Sequence, residues 1–176
     1  RTGGQPGAAI LYQWACYYFD FQKQYDESAR LIRTAERSGM GGPWLDFHRA
    51  LALLRGNNFA EGEALLLSIE GEYDPGGDRI VPGNPDGIFW QVPANLGRIR
   101  EAARSSQAAL GYYETAAARI GGGAGAARIY YRIARCLRSL GRDREARDAL
   151  ERGLSLDSEN MPIRLELTRL NELGIF

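Results

Sequence analysis

The stretch Ala127–Leu154 constrains the chain most. It reads as two helices joined by a tight turn at Gly141. Ile129, Tyr130, Ile133, Ala134, Leu137 and Leu140 recur on one side of the first helix with a period near 3.6. Ala146, Ala149, Leu150, Gly153 and Leu154 do so on the second. Small residues at Ala134 and Ala146 let two backbones come close, and Gly141 supplies a residue that can reverse the chain.

A search for further copies gives Leu96–Ala102, which matches Leu140–Ala146 at every position except Ile99 against Asp143. Weaker copies start at Tyr25 and Phe59. With Ser28, Gly62, Ala102 and Ala146 as equivalent small residues, the intervals are 34, 40 and 44 residues. The first is a known repeat period, and the others require insertions.

The pattern predicts helices over about 8–22, 25–38, 43–55, 60–71, 88–96 and 99–120, then the pair already described. A last helix starts at an Asn160 N-cap and closes at Gly174. The first of these is so rich in aromatics (Tyr12, Trp14, Tyr17, Tyr18, Phe19, Phe21) that it is expected to be buried on more than one side. Pro93 predicts a kink or a short fifth helix. Residues 1–7 read as a frayed leader and 72–87 as an irregular insertion. Residues 121–125 read as a glycine-rich flexible joint.

This arrangement resembles the tetratricopeptide (TPR) family over roughly 8–174. The resemblance implies an all-α fold, a right-handed α-solenoid of antiparallel helix pairs. It would comprise about four TPR-like units and a C-terminal capping helix, in one domain or fragment spanning 1–176. In that family the first helix of each pair lines a concave face that holds a partner. Carried onto this chain, the candidates are Gln13, Tyr17 and Asp20; Trp44, Phe47, Leu51 and Arg55; Gln91 and Asn95; and Arg128, Tyr131, Arg135 and Arg138. The last set, three guanidiniums beside a tyrosine, suits a carboxylate, a phosphate or an acidic peptide. It is equally the charged outer face that any helix carries. The aromatic candidates are either anchors for a partner helix or peptide, or intrachain packing.

Lysine and arginine together number 22, as do aspartate and glutamate, so no global basic field marks a nucleic-acid binder. The balance is uneven locally. Seven acids and one arginine lie between Glu61 and Asp86, whereas eight arginines and four acids lie between Arg128 and Arg152. Such polarity can orient a partner. No apolar run is long enough to span a bilayer. Cys16 and Cys136 lack ligand spacing and read as buried structural thiols, which mildly suits a reducing compartment.

Nothing marks a catalytic centre. His48 is the sole histidine, with no serine or cysteine predicted near it. The glycine run lacks the Lys-Ser or Lys-Thr of a phosphate loop. No metal or cofactor is expected. The leading function is a protein–protein interaction scaffold holding a peptide or helix. The alternatives are a self-assembly module and a binder of an acidic polymer, RNA or polysaccharide.

Overall fold

The computed structural model describes residues 7–72 and 88–174, with no side chains described at 88 and 89. The leader and nearly all of the 72–87 insertion, with its acids Asp74, Asp78 and Asp86, lie outside the described residues. Nine α-helices and no strand occur among the described residues: α1 Ala8–Tyr17, α2 Tyr25–Arg37, α3 Pro43–Arg55, α4 Phe59–Gly71, α5 Ile88–Ala102, α6 Ser106–Arg119, α7 Gly123–Ser139, α8 Asp143–Leu156 and α9 Met161–Glu172. A π-helical turn, Tyr18–Gln22, continues α1. No described helix is long and apolar enough to cross a membrane. The chain divides between residues 85 and 86 into two compact units.

In the first unit, α2 packs against both α1 and α3, and α3 pairs with α4. Ala15, Leu31, Ile32 and Leu45 form one buried cluster, and Ala29, Ala52 and Leu53 another. The boundaries of α3 fall where the sequence puts them, with Pro43 in the first turn, where its missing N–H costs nothing. Helix α1 departs from expectation. It buries one face, while Ile10, Trp14, Tyr17 and Phe21 stand 46–76% exposed. These four recur at helical spacing, so they form an exposed apolar stripe along α1 and its π-turn.

In the second unit, α5 pairs with α6 and α7 with α8, α6 contacts α7, and α9 packs on α8. One core runs through Ala109, Leu110, Tyr113, Ala116, Ile133, Ala134, Leu137, Ala146, Leu150, Ile163 and Leu170. Gly141 has φ +74° and makes the α7–α8 reversal. Asn160 caps α9 by accepting the Ile163 N–H at 3.3 Å. The capping helix leaves Met161, Leu165 and Leu173 exposed. Of the expected glycine-rich joint 121–125, Gly123–Gly125 form the first turn of α7.

The third repeat is registered differently from the sequence expectation. Helix α5 runs past Pro93 to Ala102, and the reversal falls at residues 103–105. Pro93 lies early in the helix, so it removes one backbone hydrogen bond, and buried Val92 and Leu96 hold the helix in place. The segment Leu96–Ala102 is therefore helix interior, although its near-copy Leu140–Ala146 makes a turn. Ala102 is exposed. The residue that takes the place of Ser28, Gly62 and Ala146 in this repeat is Ala109, which is fully buried.

With that correction the repeat becomes regular. Each second helix carries a small residue, three others and then a large one: Ser28 and Ile32, Gly62 and Leu66, Ala109 and Tyr113, Ala146 and Leu150. All eight are buried. The intervals become 34, 47 and 37 residues. Each first helix answers with a buried small residue: Ala15, Ala50, Gly97 and Ala134. Ser28 reaches the Ala15 backbone, and a Cβ on Gly62 would lie 3.1 Å from the Ala50 carbonyl. At Gly97 the close approach is to the large residue, because a Cβ there would lie 2.7 Å from the Tyr113 ring.

Candidate functional site

The first unit holds a cavity of about 160 Å³. Cys16, Phe19 and Asp20 line it from α1 and the π-turn, Ser28 and Ile32 from α2, and His48 and Leu51 from α3. The three helices meet here because Ser28 is small. Its hydroxyl donates to the Ala15 carbonyl at 2.9 Å, which ties α2 to the α1 backbone. The π-turn then carries Phe19 and Asp20 to the rim and ends at Lys23 with φ 55°. Turns of this kind locally widen a helix and recur at functional sites.

His48 is fixed from two sides. Its Nδ1 shares a 2.7 Å hydrogen bond with the Tyr12 hydroxyl, and its ring lies 4.2 Å from that of Trp44. Burial lowers its pKa, with Asp20 opposing, so the imidazole is neutral at pH 7. Burial raises the Cys16 thiol, and the Asp20 charge raises it further, so it stays protonated. The Tyr12 phenol is likewise pushed up, first by burial.

The sequence had placed no serine or cysteine near His48, yet both line its cavity. The reason is tertiary: α1 and α3 are brought together only by packing on α2. The geometry nonetheless commits each group. Ser28 gives its proton to Ala15, His48 Nδ1 is held by Tyr12, and the thiol is not a thiolate. The walls are mostly apolar, with one carboxylate at the rim, which is the make-up of a recognition pocket.

Of the residues named from the sequence, Asp20 and Leu51 line this cavity, and Trp44 backs it through His48. Arg55 lies over the Phe19 ring, 5.9 Å from its centroid. Phe47 is 1% exposed and belongs to the core, so its ring offers no surface. Tyr17 stacks on Phe21 at 5.7 Å within the exposed stripe and accepts a hydrogen bond from Gln22 Nε2 at 2.7 Å. Gln13 is exposed. Tyr12, Cys16, Phe19, Ser28, Ile32 and His48 were not read as site residues. A signal existed: Cys16, Phe19 and Asp20, and likewise His48, Leu51 and Arg55, recur at helical spacing, one position round the helix from the face through Phe47.

The second unit disposes of its arginines. Glu101 of α5 accepts from the Tyr113 hydroxyl at 2.8 Å and from Arg132 at 2.7 Å, and Arg135 lies 3.2 Å away. Burial pushes this carboxyl up. The hydrogen bonds from Tyr113 and Arg132 and the two arginine charges outweigh it, leaving the pKa below the usual carboxylate range. Arg138 of α7 pairs with buried Glu166 of α9, which also takes Arg169 at 3.3 Å, and Asp143 lies 3.8 Å from Arg138. The expected open row of guanidiniums is thus partly spent on the chain's own carboxylates, joining α7 to α5 and to α9. Arg128 remains exposed, and Tyr131 packs half-buried against the core. Asn95 Nδ2 donates to the Gln91 carbonyl at 2.9 Å, and both residues are half-buried. Cys136 is buried and free, its thiol pushed up to about 11 by burial. Among the described residues no group of His, Cys, Asp or Glu is placed to hold a metal ion.

No family model matches the sequence, and no curated protein matches it. The fold has relatives among solved structures. MamA from Desulfovibrio magneticus RS-1 superposes with a TM-score of 0.72 at 14% identity, over 95% of this chain and 85% of that one. YrrB, described as a TPR protein with an unusual peptide-binding site, gives 0.67 at 14% identity, over 93% and 75%. MamA AMB-1 gives 0.68 at 15% identity, over 96% and 83%. The chain therefore has a TPR-like fold, an all-α solenoid of helix pairs.

Proposed function

We propose that this chain is a protein-interaction scaffold that holds an extended peptide or a helix against α1 and α3 of its first unit. The observation that carries this reading is the cavity lined by Cys16, Phe19, Asp20, His48 and Leu51. It is mostly apolar, rimmed by a carboxylate and backed by the tilted ring pair of His48 and Trp44. Tyr17 and Arg55 extend the contact surface beyond the rim. The peptide-binding description of YrrB supports a peptide as occupant. The proposed role is binding and not catalysis, since the hydroxyl, imidazole and thiol in the cavity are all engaged or protonated.

The test is retention of arrayed short peptides by wild type and by Leu51→Trp, which fills the cavity. Peptides held by wild type and lost by the folded variant support the reading. Identical retention overturns it.

The exposed stripe Ile10, Trp14, Tyr17 and Phe21 favours a second reading, self-assembly, because monomers rarely leave a long contiguous apolar surface bare. Light scattering over a concentration range separates the two, and a strict monomer counts against assembly. Binding of an acidic polymer is less favoured, as Arg135 and Arg138 already face carboxylates.

A further inference from the structure

We propose that the cavity between α1, α2 and α3 is an anchor pocket for one lysine or arginine side chain of the partner peptide. The cation meets Asp20, and the methylene stem lies along Phe19, Ile32 and Leu51. This rests on the peptide-binding reading above and names the residue class that the site selects.

Three observations point to a cation. First, the Asp20 carboxylate has no ion pair within 4 Å among the described residues. Lys23, three residues on, binds the Asp20 backbone carbonyl instead. Second, no other group lining the cavity carries charge at neutral pH. His48 is neutral, and Cys16 and the adjoining Tyr12 are protonated. Burial is the main influence on all three, and the Asp20 charge opposes it at His48 and adds to it at Cys16 and Tyr12. Third, the cavity admits one long side chain and no folded segment.

An anionic side chain would be repelled here. A neutral apolar one would cover the carboxylate without pairing it, which is costly. Long basic side chains fit both parts, because their stems pack on apolar walls while their heads remain polar. Two of the chain's own cations lie close by: Lys23 on the Asp20 backbone carbonyl and Arg55 over the Phe19 ring. Arg55 is exposed and no carboxylate holds it among the described residues, so it can move aside.

The experiment is an NMR titration of the ¹⁵N-labelled chain with N-acetyl-lysine N-methylamide. The arginine, norleucine and glutamate counterparts run alongside. Lysine and arginine probes are expected to shift the amides of Cys16, Phe19, Asp20 and Leu51. Norleucine and glutamate should bind about tenfold more weakly or not at all. Asp20→Asn should reduce lysine-probe affinity about tenfold, and Asp20→Glu should retain part of it. Norleucine binding as tightly as lysine, Asp20→Asn without effect, or no shift with any probe overturns the proposal.

The same samples are then placed on arrayed peptides. Peptides retained equally by wild type and Asp20→Asn overturn the cation pocket and leave the scaffold reading standing. Retention of no peptide overturns both.

Discussion

Helices α1 and α7 hold the same place in their helix pairs and treat their outward side chains in opposite ways. Helix α7 is charged along its outer face, and three of its arginines reach carboxylates on α5 and α9. Helix α1 is aromatic and, with its π-turn, leaves four large apolar residues exposed beside a cavity whose carboxylate is unpaired. In sequence the charged helix offered either a binding face or an ordinary solvated one, and the aromatic helix, itself the source of the candidates Gln13, Tyr17 and Asp20, was expected to be buried on more than one side. Long flexible guanidiniums find carboxylates one helix away, so a charged face can be consumed internally. An apolar stripe can only be covered by another body.

The comparison can be broken or sharpened by mutation. The largest effect is expected for Tyr113→Ala. It removes a fully buried ring and its hydrogen bond to Glu101 and should cost about 3–5 kcal/mol in denaturant unfolding of the second unit. Gly97→Ala should cost about 1–3 kcal/mol, since the new methyl meets that ring and neither helix can yield freely. A neutral result would mean that the corrected register of the third repeat is wrong.

Glu101→Gln should cost about 1–2 kcal/mol, because Tyr113, Arg132 and Arg135 lose one charged acceptor together. Its pH signature is definite. The folded pKa lies below the unfolded value of about 4.3, so the stabilisation is complete above that pH and is lost as pH falls through the folded pKa. The variant should flatten that acid limb in unfolding curves at a series of pH values.

In the first unit, Tyr12→Phe should cost about 1 kcal/mol and free His48 Nδ1. The folded pKa of His48 is depressed by burial, so the unfolded chain takes up the proton first. The first unit should therefore lose stability as pH falls below about 6.5, and His48→Gln should remove that dependence. The smallest effect is expected for Arg135→Ala, about 0.5 kcal/mol or less, since that side chain is half exposed and Arg132 still holds Glu101. A larger loss would give the outer arginine a greater structural share than its exposure allows.

Much of this protein follows from the sequence alone. Helical periodicity, the proline at the start of α3, the Asn160 cap and the glycine at 141 fix where most helices begin and end, because these are local backbone preferences. The first two repeats and the last were legible for that reason. The cores of α2 and α8 were legible too, since their small and large residues alternate at helical spacing.

Only the tertiary structure decided the rest. A Leu-Gly-Arg run makes a turn at 140–142 and a close helix crossing at 96–98. Glycine serves either purpose, and only the presence of Tyr113 opposite Gly97 selects one. The partners of the arginines and the meeting of Cys16, Ser28 and His48 were hidden for the same reason. A side chain's neighbours one helix away are set by packing across the core, whereas its neighbours along the chain are set by the backbone it belongs to.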